Sequence, residues 1–174
     1  MRSCLIGTFG LRKFRPLQLS AINAILSSRR VGSDVSCAKV QDCLFIASTG
    51  AGKSLCYQLP AVLLSGITLV ISPLLSLIED QLIQLRRIGI EAATINQSST
   101  KEEVKWVMDC LAGSNTSALS LLYVTPEKIA KSKRLMHQLE KCASQGRLCL
   151  IAVDEVHCCS QWGHDFRSGK GNVC

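Results

Sequence analysis

No apolar run in this chain is long enough to cross a membrane. The longest, "LPAVLLSGITLVISPLL" over residues 59–75, is broken by Gly66 and two prolines, whereas a span needs roughly 18 uninterrupted apolar residues. A membrane protein is therefore not expected. No low-complexity tract and no internal repeat occur, which argues against disorder throughout and against a solenoid. The opening "MRSCLIGTFGLRKFR" has too short an apolar stretch and no cleavage site for secretion, so its thiols are expected in a reducing compartment. Ten cysteines are present without a single C-x-x-C pair. Cys43, Cys56 and Cys149 sit in apolar runs and read as small buried hydrophobes. Cys158 and Cys159 lie near His157 and His164, but adjacent cysteines do not easily share one tetrahedral ion, and no zinc is expected. Basic residues are likewise not gathered into one tail; they recur as "RKFR", "SSRR", "LRR" and "KSKR".

What is there suits a single globular domain. The 174 residues are 47% hydrophobic and 19% charged, with a net charge of +7 that favours a polyanionic partner. Five short β-prone runs read as buried strands: 43–49, 68–73, 91–96, 119–125 and 148–155. Helical patterns lie between them. "LLSLIEDQLIQLRRIG" carries apolar residues at spacings of three and four and stops at Gly89. "SSTKEEVKWVMDCLAG" opens on an expected capping box from Ser99 to Glu102, and Thr125-Pro126 reads as a capping hydroxyl followed by a first-position proline. Ahead of the first strand come the helix "PLQLSAINAILSS" and an aperiodic segment, "RRVGSDVSCAKVQD", read as a surface loop; "GSNTSA" reads as a second, shorter one. Strand and helix alternate as in an α/β fold with a mostly parallel sheet and ligands at the strands' carboxyl ends.

"ASTGAGKS" between strand and helix is the setting of a phosphate-binding loop. Backbone amides of Thr49, Gly50, Ala51 and Gly52 and the following helix N-terminus would surround the β- and γ-phosphates. Lys53 would reach their oxygens, and the Ser54 hydroxyl would ligate Mg²⁺. The form is incomplete, because Ala47 stands where a first glycine is usual. A second element strengthens it: "LCLIAVDEVH" is a buried strand ending in two acids. Asp154 would hold Mg²⁺ through its water shell, and Glu155 would orient or deprotonate the attacking water. That combination implies hydrolysis of a nucleotide such as ATP.

"FRPLQ", "STGAGKSLCYQLPA", "ISPLLSLIEDQ", "YVTPEKIAKSK" and "AVDEVHCCSQWGHDFR" resemble, in order and approximate spacing, the motifs of RecQ-type DNA helicases. The resemblance runs from about Phe9 to Arg167 and implies a RecA-like P-loop NTPase domain using ATP and Mg²⁺. It implies adenine recognition by Arg15 and Gln18, and single-strand contacts at Ser72-Pro73 and Thr125-Pro126. His157 falls with Lys53, Asp154 and Glu155 in the catalytic set. "SQWGHDFR" looks like the family's aromatic-rich loop, with Trp162 and Phe166 stacking on bases, Arg167 contacting a phosphate and His164 linking back toward the nucleotide. The implied activity is ATP-dependent 3′-to-5′ unwinding of DNA, single-stranded or duplex, in repair and recombination in the nucleus.

Three departures from the family pattern are visible. The segment between the first helix and first strand, about 27–42, is longer than usual; Ala51 replaces a common glycine; and after Arg167 the chain reads "SGKGNVC". The expected organisation is therefore an adenine-recognition helix and inserted loop over 1–42, an incomplete RecA-like domain over 43–167, and a divergent tail over 168–174. The second lobe is expected to be missing, together with its arginine finger, which is worth roughly 10³–10⁵ in rate where one is used. A missing lobe or a full-length helicase is then an expected partner. Two rival readings stand beside an active helicase: a nucleotide- or DNA-binding fragment without turnover, and an unrelated P-loop NTPase acting on a small molecule.

Overall fold

The computed structural model describes residues 1–27, 42–114 and 119–156. Within them a four-stranded parallel sheet runs in the order β2-β3-β1-β4, from β1 (Ile67–Ile71), β2 (Ala92–Thr94), β3 (Leu121–Val124) and β4 (Leu148–Val153). Its register sets Val70 beside Tyr123 and Ala152. Helices α1 (Arg2–Gly7), α2 (Gln18–Ser27), α3 (Leu55–Leu63), α4 (Leu75–Arg87), α5 (Lys101–Ala112), α6 (Pro126–Lys131) and α7 (Lys133–Ser144) surround it. This is the α/β, RecA-like architecture expected.

Alternation along the inner strands divides the core into two layers. Leu69, Leu122 and Val124 pack with Val107, Leu111, Leu135 and Leu139 of α5 and α7. Val70, Leu121 and Tyr123 point the other way, against Tyr57 of α3 and Ile78, Leu82 and Leu85 of α4. Because both faces are covered, β3 is apolar and buried at every position. A third cluster joins α1 and α2 to α3 through Leu5, Ile22, Leu26 and Leu59. Helix α1 had no expected counterpart: six residues offer too short a window for a periodic signal.

Four of the five expected strands form. The exception is 43–49, which has no strand pairing among the described residues. It keeps strand-like alternation, since Phe45 packs on the α1–α3 cluster while Leu44 and Ile46 are 77% and 80% exposed. One covered face holds the segment without a ladder. Ile151 and Val153 of β4 are also exposed. Cys43 is exposed too, which corrects its expected burial; Cys56 and Cys149 are buried as expected.

The caps follow local chemistry closely. The capping box of α5 lies one residue later than expected: Thr100 Oγ1 accepts from Glu103 N at 3.1 Å, and Thr100 N donates to Glu103 Oε2 at 2.8 Å. Ser99 is already engaged, donating to Asn96 Oδ1 at 3.1 Å and accepting from Asn96 N at 3.0 Å. At its other end α5 stops at Gly113, φ 80°, and Arg147 donates to the carbonyls of Cys110 and Leu111, where a cation suits the helix terminus. Thr100→Ala is expected to destabilise the chain by about 0.5–2 kcal/mol, read as a lower urea midpoint at unchanged slope. Ser99→Ala should cost less, reversing the order expected from sequence.

Gly66 joins α3 to β1 at a point where a side chain has no room. Its φ is 146°, and a Cβ there would lie 2.5 Å from the Arg147 carbonyl oxygen. Glycine lets the chain enter the sheet beside β4, which carries the acids of the site.

Candidate nucleotide site

The phosphate-loop residues fold into a turn at the sheet's carboxyl edge. Gly50 and Gly52 take φ of 78° and 79°, left-handed values that glycine adopts without steric cost. Ala51 N donates to Ser48 O at 3.2 Å, and Cys56 N to Lys53 O at 2.9 Å as α3 begins. Ser54 precedes α3 but its hydroxyl does not cap the helix; its side chain lies beside the Tyr57 phenol. Thr49 and Gly50 face solvent, and Ala51 to Ser54 are half-buried. Incoming phosphate oxygens therefore have access to the loop.

Asp154 and Glu155 meet this loop from β4. Lys53 Nζ lies 3.5 Å from Glu155 Oε1, with the two side chains 26% and 20% exposed. It also lies 3.5 Å from the Ala47 carbonyl. Asp154 is anchored through its amide, which donates to Ile71 O at 2.8 Å. Its carboxylate accepts from the Glu155 amide at 3.0 Å and from the Tyr57 hydroxyl at 3.1 Å. Glu155 has φ 48°, a strained conformation for a residue with a side chain. That turn folds the Glu155 backbone against the Asp154 carboxylate while its own carboxylate meets Lys53. Residues about a hundred positions apart thus meet, Lys53 approaching Glu155 beside Asp154.

Tyr57 and its neighbours were not anticipated. Gln58 Nε2 donates to Gln81 Oε1 of α4 at 2.6 Å and to Tyr123 Oη at 3.3 Å. The Tyr57 and Tyr123 hydroxyls also interact. Burial, foremost, pushes the Tyr57 phenol far above its ordinary range, with Tyr123 and Asp154 nearby adding to the rise. Burial likewise pushes Tyr123 up to about 12. Both phenols stay protonated across the working pH range, so Tyr57 can donate continuously to a carboxylate. The clue in the sequence was Gln58, a polar residue inside the otherwise apolar "LCYQLPA".

Arg15 and Gln18 do reach the loop, at its backbone carbonyls. Gln18 is 3% exposed and donates to Gly52 O at 2.9 Å, while its Oε1 accepts from Arg15 N at 2.7 Å. The Arg15 guanidinium donates to the Gly50 carbonyl. Leu17, with φ 67°, makes the turn that aims Gln18 inward. In this structure the Gln18 amide is engaged with the loop backbone.

Ser72 closes β1. It is 2% exposed and its amide donates to Val124 O at 3.0 Å, while its hydroxyl is buried without a partner among the described residues. Pro73 is half-buried beside it and has no amide proton to offer. Thr125 caps α6 by accepting from Lys128 N at 3.3 Å, and Pro126 takes the first helical position, as expected. His157, Trp162, His164, Phe166 and Arg167, with Cys158 and Cys159, lie outside the described residues, as does most of the segment 27–42.

The donor set fits a magnesium-bound triphosphate. Left-handed glycines shape the loop, the Lys53 ammonium lies beside it, and the Asp154 carboxylate and Ser54 hydroxyl would offer the hard oxygen ligands that Mg²⁺ takes. The sequence matches the DEAD/DEAH box helicase family over residues 15–170. The chain belongs to that family. Among its relatives it is 58% identical over 160 residues to the putative ATP-dependent DNA helicase Q1 of Caenorhabditis briggsae, covering 92% of this chain and 24% of that protein. It is 53% identical over 167 residues to ATP-dependent DNA helicase Q1 of Mus musculus, covering 96% of this chain and 24% of the relative. With ATP-dependent DNA helicase RecQ of Haemophilus influenzae it shares 44% over 165 residues, 95% of this chain and 23% of the other. The chain thus spans about a quarter of the length of these helicases, and the RecQ-type resemblance read from its motifs agrees with them. Among the described residues no helix is long and apolar enough to cross a membrane.

Proposed function

We propose that this chain forms the ATP-binding part of a RecQ-type DNA helicase, which uses Mg-ATP to move 3′ to 5′ on DNA during repair and recombination in the nucleus. The observation that carries the reading is the approach of Lys53 to Glu155 at 3.5 Å beside an anchored Asp154. Ser54 and Asp154 would hold the metal, whose chemistry is to neutralise phosphate charge. Lys53 exchanges Glu155 for phosphate oxygens on binding, and Glu155 orients the attacking water. Arg15 and Gln18 brace the loop through its backbone carbonyls. Pro73, Thr125 and Pro126 end their strands at the edge where a single strand would pass, and Trp162, Phe166 and Arg167 are proposed to contact it directly. Support for the nucleic-acid partner comes from the helicase relatives and from the net charge of +7.

Binding to a fluorescent single-stranded oligonucleotide tests the partner. Affinity should fall steeply with salt, its logarithm declining against log salt by about 0.7 per phosphate neutralised. No binding at low salt would favour a P-loop enzyme acting on a small molecule. ATP turnover that rises with added single strand supports the helicase reading; binding of both ligands without turnover would support a non-hydrolysing fragment.

A further inference from the structure

We infer that Tyr57 is a positioning residue for the metal site, its buried hydroxyl orienting the Asp154 carboxylate and tying that orientation to helix α4 through Tyr123, Gln58 and Gln81. This rests on reading Asp154 as the metal-holding acid. A carboxylate on a short side chain rotates about its terminal torsion unless its oxygens are held. Here both are held from the protein side: Oδ2 accepts from Tyr57 at 3.1 Å and Oδ1 from the Glu155 amide at 3.0 Å. Each oxygen keeps a second lone pair for other ligands. The geometry thus orients Asp154 without occupying it.

An ionised Asp154 can only accept, so the Tyr57 proton points at it. The Ser54 and Tyr123 side chains both lie beside the Tyr57 phenol. Tyr123 receives a proton from Gln58 Nε2 at 3.3 Å, and the other amide proton goes to Gln81 Oε1 at 2.6 Å. Tyr57 therefore stands between Ser54 and Asp154, the two groups assigned to the metal. Gln58, Tyr57 and Tyr123 are all buried, and in a low-dielectric setting linked hydrogen bonds reinforce one another. Gln81 lies on α4, which follows directly from the end of β1 at Ser72-Pro73-Leu74. A shift of α4 would alter the pull on Tyr57, and hence on Asp154.

The test compares wild-type chain, Tyr57→Phe and Tyr123→Phe by calorimetric titration with ADP, once with Mg²⁺ and once with EDTA. Mn²⁺ binding in the presence of ADP, followed by electron paramagnetic resonance, gives a second readout. Tyr57→Phe keeps the ring and loses the donor. Its affinity in EDTA should match wild type, while the gain on adding Mg²⁺ should shrink about tenfold, with Mn²⁺ affinity falling in parallel. Tyr123→Phe should reduce the same gain by about twofold and keeps the question answerable if Tyr57→Phe does not fold. An unchanged metal-dependent gain in a folded variant overturns the proposal, as does an equal loss with and without metal, which would mean general damage to the loop. Absence of any metal-dependent gain in wild type would instead remove the reading of Asp154 on which the proposal stands.

Discussion

Lys53→Ala is expected to weaken Mg-ATP binding by about 10- to 100-fold, the loss associated with one or more charge-assisted hydrogen bonds to an anion. Stability should hardly change. The Lys53–Glu155 pair is partly exposed, and such pairs contribute about 0–1 kcal/mol. A large fall in affinity at an unchanged urea midpoint separates a binding role from a structural one, and calorimetric titration of both proteins measures it. Equal affinities would mean that the ammonium does not face the phosphates. Lys53→Arg should recover only part of the loss, because a planar fork cannot reproduce a compact point charge at the turn of a narrow loop.

The second large effect concerns stability. Leu122, fully buried on β3, packs into the layer beneath α5 and α7. Truncation to alanine removes its packing and leaves a cavity that the rigid inner strands cannot easily close, at a cost of about 2–5 kcal/mol. Domains of this kind have about 5–15 kcal/mol in total, so Leu122→Ala should lose a large share of its stability. A urea unfolding curve reads this directly. A shift below about 1 kcal/mol would show that the site collapses freely, contrary to a sheet covered on both faces. Binding of Mg-ATP to the folded fraction should persist, since Leu122 faces away from the Tyr57 layer.

Much of this fold could be read from local pattern. Strands β1 to β4 are short apolar runs ending in polar residues; β1 to β3 are largely buried, while edge strand β4 leaves Ile151 and Val153 exposed. Thr125-Pro126 and Gly89 carry their meaning locally, as a cap and a stop. The errors lie where competition or distance decides. Ser99 and Thr100 are both competent caps, and only the prior engagement of Ser99 with Asn96 shifts the box by one residue. Residues 43–49 have the composition of a strand, but ladder pairing depends on a neighbour, and alternation alone cannot supply one.

At the site, the loop and the two acids were legible because each motif carries its own chemistry. Their supports were not. Tyr57 and Asp154 are 97 positions apart, and Gln58 and Tyr123 are 65 apart; no spacing rule links them. The contact of the Gln18 amide with the loop is likewise remote in sequence, and the turn that precedes it takes an unusual φ at Leu17. Ser72 is a polar residue at a strand end whose burial is set by packing around it.

The account depends on two distant segments closing on one ligand, and hydrogen–deuterium exchange at residue resolution tests that most directly. On adding Mg-ATP, amides of Gly50 to Ser54 and those of Asp154 to Val156 should slow together, with the same dependence on nucleotide concentration. Protection confined to the glycine-rich loop, with the end of β4 exchanging as before, would contradict a shared site.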